Sequence, residues 1–93
     1  MFVLHVGIKL KPAREQAAKS TFSGPFRAAI SAQQGFREVR LLEPRDGGEY
    51  VLSIAFESQA LQQQWVASAL HAQVWSQMEA NFEGYTISTF TAI

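Results

Sequence analysis

The feature that most restricts this chain is its opening run, Phe2 to Leu10, where apolar residues recur with a period of two. That is the period of a strand, because successive side chains leave it on opposite faces. Phe2, Leu4, Val6, Ile8 and Leu10 share one face, which must be buried; Val3, His5, Gly7 and Lys9 share the other. The second face is mixed. It is too apolar to lie bare in water and too polar to form a second full core.

The remaining segments supply partners for that strand. Lys11-Pro12 ends it, since proline has no N–H to give to a ladder. From about Arg14 to Gln33, Phe22, Phe26, Ala29 and Ile30 fall at spacings of three and four, the stripe of an amphipathic helix. Ser23-Gly24-Pro25 lies inside that stretch. Glycine costs about 1 kcal/mol in a helix interior and proline removes a backbone bond, which predicts a kink or two segments meeting near Gly24. Gly35 is placed to stop the helix.

Phe36 to Glu43 reads as a second strand, with Phe36, Glu38, Arg40 and Leu42 in line and Arg37, Val39 and Leu41 opposite. Pro44-Arg45-Asp46-Gly47-Gly48 is the strongest turn signal, because paired glycines permit positive φ. The third strand, Glu49 to Glu57, then returns as a hairpin with Tyr50, Leu52, Ile54 and Phe56 on one face. Val51, Ser53 and Ala55 take the other.

Ser58 is a good N-cap for a second helix over Gln59 to about Phe82. Leu61 and Trp65 lie one turn apart, and Leu70, Val74 and Met78 follow at intervals of four. The stripe drifts between the two sets, which predicts a bend near Ser68 to Leu70. Gly84 is expected to end the helix, and Tyr85 to Ile93 reads as the last strand. Gln59, Gln62, Gln63 and Gln64 read as the wet face of the second helix, and Arg37, Arg40, Arg45 and Asp46 as a charged edge and turn.

This order predicts an α+β domain spanning 1–93: a ferredoxin-like β-α-β-β-α-β sheet with its helices on one face. The bare face then carries Val3, His5, Gly7, Val51, Ser53 and Ala55, small or apolar residues that a second sheet would cover. A two-fold homodimer is the commonest solution. Eight basic and eight acidic residues leave a formal net charge of zero. That offers no basic field for nucleic acid and little repulsion against self-association. The chain has no cysteine, which excludes disulfides, thiolate nucleophiles and sulfur-ligated metals. No run approaches the roughly 20 apolar residues of a membrane span, and no basic segment precedes the first strand, so the expected compartment is the cytoplasm.

Several short stretches carry a family likeness: Lys9-Leu10-Lys11-Pro12, Gln34-Gly35-Phe36, Glu49-Tyr50-Val51-Leu52 and Phe56-Glu57-Ser58, followed by Trp65, Ser68, His71 and Trp75. Together they resemble the antibiotic biosynthesis monooxygenase family of dimeric α+β barrels. The resemblance implies a homodimer whose two sheets form a barrel, with a pocket in each subunit between sheet and helices. Some members oxidise polycyclic phenols to quinones with molecular oxygen and neither metal nor flavin; others degrade heme. In the heme-degrading branch an iron-binding histidine lies ten residues beyond a tryptophan, with an asparagine on the first strand. The matching positions here are Trp75 and Val6, so both signature residues are missing and heme degradation is disfavoured.

His71 matches the histidine common after the bend in the family's second helix. It has two readings: a proton acceptor or orienting donor for a phenol, since imidazole titrates near neutrality, or a helix-end histidine capping carbonyls or meeting a partner subunit. The second is the commoner role of a lone histidine. His5, on the bare face, reads as hydrogen-bonded structure, and two unlinked histidines make no metal motif. Trp65, Trp75, Phe22, Phe26, Tyr50, Phe56 and Phe82 are a dense aromatic set, read either as core or as the wall of a flat pocket for an aromatic ligand. Tyr50 and Tyr85 are the candidate polar groups of such a pocket.

Three functions follow from these readings. The first is a cofactor-independent oxygenase acting on an aromatic or quinol-type substrate, with His71 as catalytic residue and no cofactor or metal. The second is a non-catalytic homodimer that sequesters a small aromatic molecule. The third is an isomerase or dehydratase on the same scaffold, since one fold hosts several chemistries.

Overall fold

The computed structural model describes residues 1–93. Four strands, β1 (Phe2–Leu10), β2 (Phe36–Leu42), β3 (Tyr50–Phe56) and β4 (Phe82–Thr91), form one sheet in the order β2-β3-β1-β4. All three pairings are antiparallel. Between β1 and β2 the chain forms α1 (Glu15–Thr21), a π-helical turn (Phe22–Phe26) and α2 (Arg27–Ser31). Between β3 and β4 it forms α3 (Gln59–Val66) and α4 (Ala69–Glu79). This is the ferredoxin-like order.

The first helical layer bends where Gly24-Pro25 sits. Pro25 cannot donate to the carbonyl four residues back, and the chain widens to a π turn in which the Arg27 N–H reaches the Phe22 carbonyl. The widening keeps Phe22, Phe26, Ala29 and Ile30 on one buried stripe. Gly35 closes the layer at φ +80°.

The second helical layer breaks at Ser68. Its Oγ accepts from the His71 N–H at 3.1 Å and donates to the Trp65 carbonyl at 2.7 Å, so one side chain ends α3 and starts α4. Both layers lie on the same face of the sheet, where Val6, Ile8, Leu52, Ile54 and Phe56 meet Phe26, Ile30, Trp65, Val74 and Met78 in a continuous core.

Three expectations are corrected. Phe36 does not stand with Glu38 and Arg40. Phe36 pairs with Phe56 while Glu38 pairs with Ala55, so β2 holds an extra residue and the bulge turns Phe36 inward. Its ring meets Phe56 edge-on at 6.1 Å. Gly84 does not end the second helix: α4 stops at Glu79, and Asn81, buried, turns its amide back onto the Gln77 carbonyl at 3.2 Å. Phe82 then opens β4, whose register with β1 shifts between Lys9 and Leu10, leaving Glu83 as the extra residue beside Gly84. Leu70 is not core. It lies in the first turn of α4 and is 41% exposed.

The pairings assign the other face of the sheet. Val3, His5, Gly7, Val51, Ser53 and Ala55 share it with Glu38, Arg40 and Leu42 of β2 and with Thr86, Ser88 and Phe90 of β4. No element of the chain covers them; His5 lies against Phe90 with ring centroids 5.0 Å apart. No helix is long and apolar enough to cross a membrane.

Candidate functional site

A cavity of about 410 Å³ opens between the sheet and the helical layers. Its floor is Leu4 and Val6 of β1, Ile54 of β3, and Tyr85 and Ile87 of β4; its roof is Phe26, Trp65, His71 and Trp75. The floor follows from period two. Pairing places Ile87 opposite Val6 and Tyr85 opposite Ile8, so alternate residues of the edge strand extend the apolar face of β1. The roof follows from three backbone events. The π turn delivers Phe26, the end of α3 delivers Trp65, and the first two turns of α4 deliver His71 and Trp75.

The aromatic rings form a connected set. Phe26 lies 6.3 Å from both Trp65 and Trp75, and Tyr85 meets Trp75 edge-on at 5.4 Å. His71 sits between the two indoles. Trp65 meets it edge-on at 5.0 Å, and Trp75 lies nearly parallel to it at 6.1 Å. Burial lowers the His71 pKa below its ordinary value. The first turn of a helix acts in the same direction, because its free N–H groups oppose a positive charge. His71 is therefore a neutral imidazole at neutral pH, half-buried, with its backbone N–H taken up by Ser68.

No lining residue carries a formal charge; the polar groups are those of Gln62, Gln63 and His71, the Tyr85 hydroxyl and the indole N–H groups of Trp65 and Trp75. Such a cavity suits a flat, uncharged, apolar molecule. Val66, Tyr85 and Ile87, all exposed, edge its mouth. No group of three or more histidine, aspartate or glutamate side chains comes together as a metal site.

The fold thus gathers His71, Trp65, Trp75 and Phe26 and disperses the other three residues expected at a substrate site. Phe56 is fully buried beneath the helices. Phe22 and Tyr50 line a separate cleft with Lys19, Leu41 and Glu43. There the Tyr50 hydroxyl donates to Glu43 at 2.8 Å and the Lys19 ammonium sits 3.0 Å from the same carboxylate, tying the β2–β3 hairpin to α1. The Tyr50 hydrogen bond, with help from Lys19, lowers the Glu43 pKa, while the same bond raises that of Tyr50.

Gln62 is the residue that sequence reasoning misplaced. It is 8% exposed and lines the cavity, not the wet face of α3. The signal was its position three residues before Trp65, which puts both on one face of a helix. Tyr85 was singled out and does line the cavity; Ile87 beside it was not.

Residues 1–84 match the profile of the antibiotic biosynthesis monooxygenase family. Among solved structures, a variant of SnoaB, a cofactor-independent oxygenase from Streptomyces nogalater, superposes with a TM-score of 0.85 at 20% identity, covering 98% of this chain and 91% of that one. Rv0793 from Mycobacterium tuberculosis gives 0.81 at 17% identity over 99% and 94%. A variant of MhuD with two manganese protoporphyrin IX bound per active site gives 0.82 at 20% identity over 100% and 95%. At these identities the likeness carries the fold. No curated protein matches the chain by sequence. The profile match runs from β1 through α4 and into the start of β4, stopping just short of Tyr85 and Ile87, and on that ground the chain belongs to the antibiotic biosynthesis monooxygenase family.

Proposed function

We propose that this protein is a cofactor-independent monooxygenase that oxidises a small phenol or hydroquinone with molecular oxygen, working as a homodimer. The observation that carries the reading is the uncharged aromatic cavity holding one imidazole, His71 between Trp65 and Trp75. The indole planes bind a flat ring. The neutral imidazole accepts the proton of the ring hydroxyl, a role for which a lowered pKa keeps the free base available. The resulting anion is electron-rich enough to pass one electron to oxygen. Recombination of the two radicals forms a carbon–oxygen bond, and loss of water from the peroxide leaves a quinone. In balance, a phenol with a free ring position plus O2 gives a quinone plus H2O. The protein's tasks are to orient the ring, take the proton and keep out water.

The SnoaB likeness supports this reading, as does the family, whose members are typically homodimers. The bare face around His5 and Phe90 is where the second subunit would lie. The porphyrin held by MhuD is not carried over. Trp75 and Val6, both lining the cavity, stand where the heme-degrading branch has a histidine and an asparagine; an indole has no lone pair to give to iron, and valine has no donor to give to its ligand.

Oxygen uptake with hydroquinones and anthrone-type phenols tests the proposal. Wild type is expected to consume oxygen and to place one atom of labelled oxygen in the product, with His71→Ala slowed by about 10²–10⁴-fold, the usual worth of a positioned base. Tight binding of an aromatic ligand with no uptake on any of them would make the protein a binding module. A Soret shift on titration with sub-micromolar heme would reinstate the porphyrin reading.

A further inference from the structure

Gln62 has no part in the proton transfer, yet its placement is unusual for a glutamine. It is more than nine-tenths buried on the face of α3 that carries Trp65. Its backbone N–H is taken by the Ser58 carbonyl at 3.2 Å. Around α3 the side chains that hydrogen-bond within the chain are the two serines at its ends, through Leu61 N–H and the Trp65 carbonyl. The Gln62 carboxamide bonds to no group of the protein. No side-chain nitrogen or oxygen is both sealed from space and unpartnered, so the amide reaches an open volume, and the volume beside it is the aromatic cavity.

The primary amide thus sits in a largely apolar wall with its polar atoms open to space and no hydrogen bond to the protein. Leucine or methionine would fill the same volume without a polar group. The group offers two donors and an acceptor in a fixed plane. The other cavity-lining residues carry no formal charge, so a ligand anchored by phosphate or carboxylate finds no counter-ion.

We propose that Gln62 is the specificity-determining residue of the cavity. Its carboxamide hydrogen-bonds a hydroxyl or carbonyl oxygen on a neutral aromatic ring, so that the site selects oxygenated rings over bare hydrocarbons of the same shape. This rests on the reading of the cavity as an aromatic-ligand site, and it does not require turnover.

Equilibrium dialysis of 2-naphthol and naphthalene against wild type, Gln62→Leu and Gln62→Met tests it. Both substitutions keep the volume near that of glutamine and remove the amide. The naphthol-to-naphthalene affinity ratio is expected to fall by about 3- to 10-fold in both variants, the worth of one neutral hydrogen bond. Their melting temperatures should stay level or rise, because an unpaired amide leaves an apolar wall. A purely structural glutamine gives the opposite pattern, a lower melting temperature and equal loss of both ligands, and that result overturns the proposal. So does an unchanged ratio in the folded variants, or a wild type that binds neither compound. Oxygen uptake by wild type together with an unchanged ratio would sink this inference and leave the oxygenase reading standing. A collapsed ratio without oxygen uptake would do the reverse.

Discussion

Gly35 joins the first helical layer to β2, and replacing it with alanine gives the sharpest test of how the two layers fit. Its φ of +80° costs an L-residue about 1–2 kcal/mol. The new Cβ would also overlap Leu61 Cδ1 and lie 3.1 Å from Leu61 Cβ and 3.2 Å from Leu61 Cγ. The end of the leucine can swing away at an off-rotamer cost of about 0.5–1.5 kcal/mol. Its Cβ can retreat only if α3 shifts, and α3 carries Gln62 and Trp65 into the cavity. Gly35→Ala is therefore expected to destabilise by about 1.5–3.5 kcal/mol. Gly24→Ala is the control. Nothing lies within 4 Å of its new Cβ, and alanine gains about 0.5–1 kcal/mol over glycine in a helix interior. Urea unfolding followed by circular dichroism, at one protein concentration, reads both. With a slope of about 1–3 kcal/mol per molar, the Gly35→Ala midpoint should drop by about 0.5–3.5 M while that of Gly24→Ala holds or rises. Adding Leu61→Ala in a double-mutant cycle separates overlap from backbone strain. A Gly35→Ala midpoint equal to wild type would refute the argument.

His71, its pKa lowered by burial, predicts an acid limb of kcat/KM below the ordinary histidine value of 6.5, absent in His71→Gln; a limb above that value contradicts it. The unfolded chain takes up this proton near 6.5 and the folded chain only at lower pH, so stability is lost as pH falls through that window, and His71→Gln flattens the slope on a pH series of urea midpoints. Phe26→Ala, at a site 1% exposed between Phe22, Trp65 and Trp75, should cost about 3–5 kcal/mol by thermal unfolding; a loss under about 1 kcal/mol would mean that the roof collapses freely. If the proposed dimer buries the bare face, Phe90→Asp, which places a charge beside His5, should leave a folded monomer by light scattering, and a dimer that persists at the same concentration would move the interface elsewhere.

The fold was legible because its signals are local. Period two in Phe2–Leu10, the glycine pair at Gly47 and Gly48, the Ser58 cap and the drift of the apolar stripe near Ser68 each act through neighbours a few residues away. The break at Gly24-Pro25 was legible for the same reason. The bulge beside Phe36 was not, because strict alternation assumes one residue opposite one, and only the partner strand shows an extra residue. Gly84 misled because a glycine marks a helix stop or a strand irregularity equally well until pairing with β1 decides. At the candidate site, the family likeness reached His71, Trp65 and Trp75. Aromatic character alone also drew in Tyr50, Phe22 and Phe56, which point to the far cleft or the core.

By itself, the sequence determined the order of elements, the inner faces of β1 and β3, the absence of thiol chemistry and the mixed outer face of β1, since each depends on residue type and spacing along one segment. Tertiary structure alone decided which inward-facing residues enclose space and which fill it. Val6 and Ile8 share a face of β1, yet Val6 borders the cavity and Ile8 does not. Gln62 passes from a wet helix face to a cavity wall because Trp65, one turn on, turns that face of α3 toward the sheet. The difference is set by how far the helices stand from the sheet above each strand, a distance fixed by packing between residues remote in the chain.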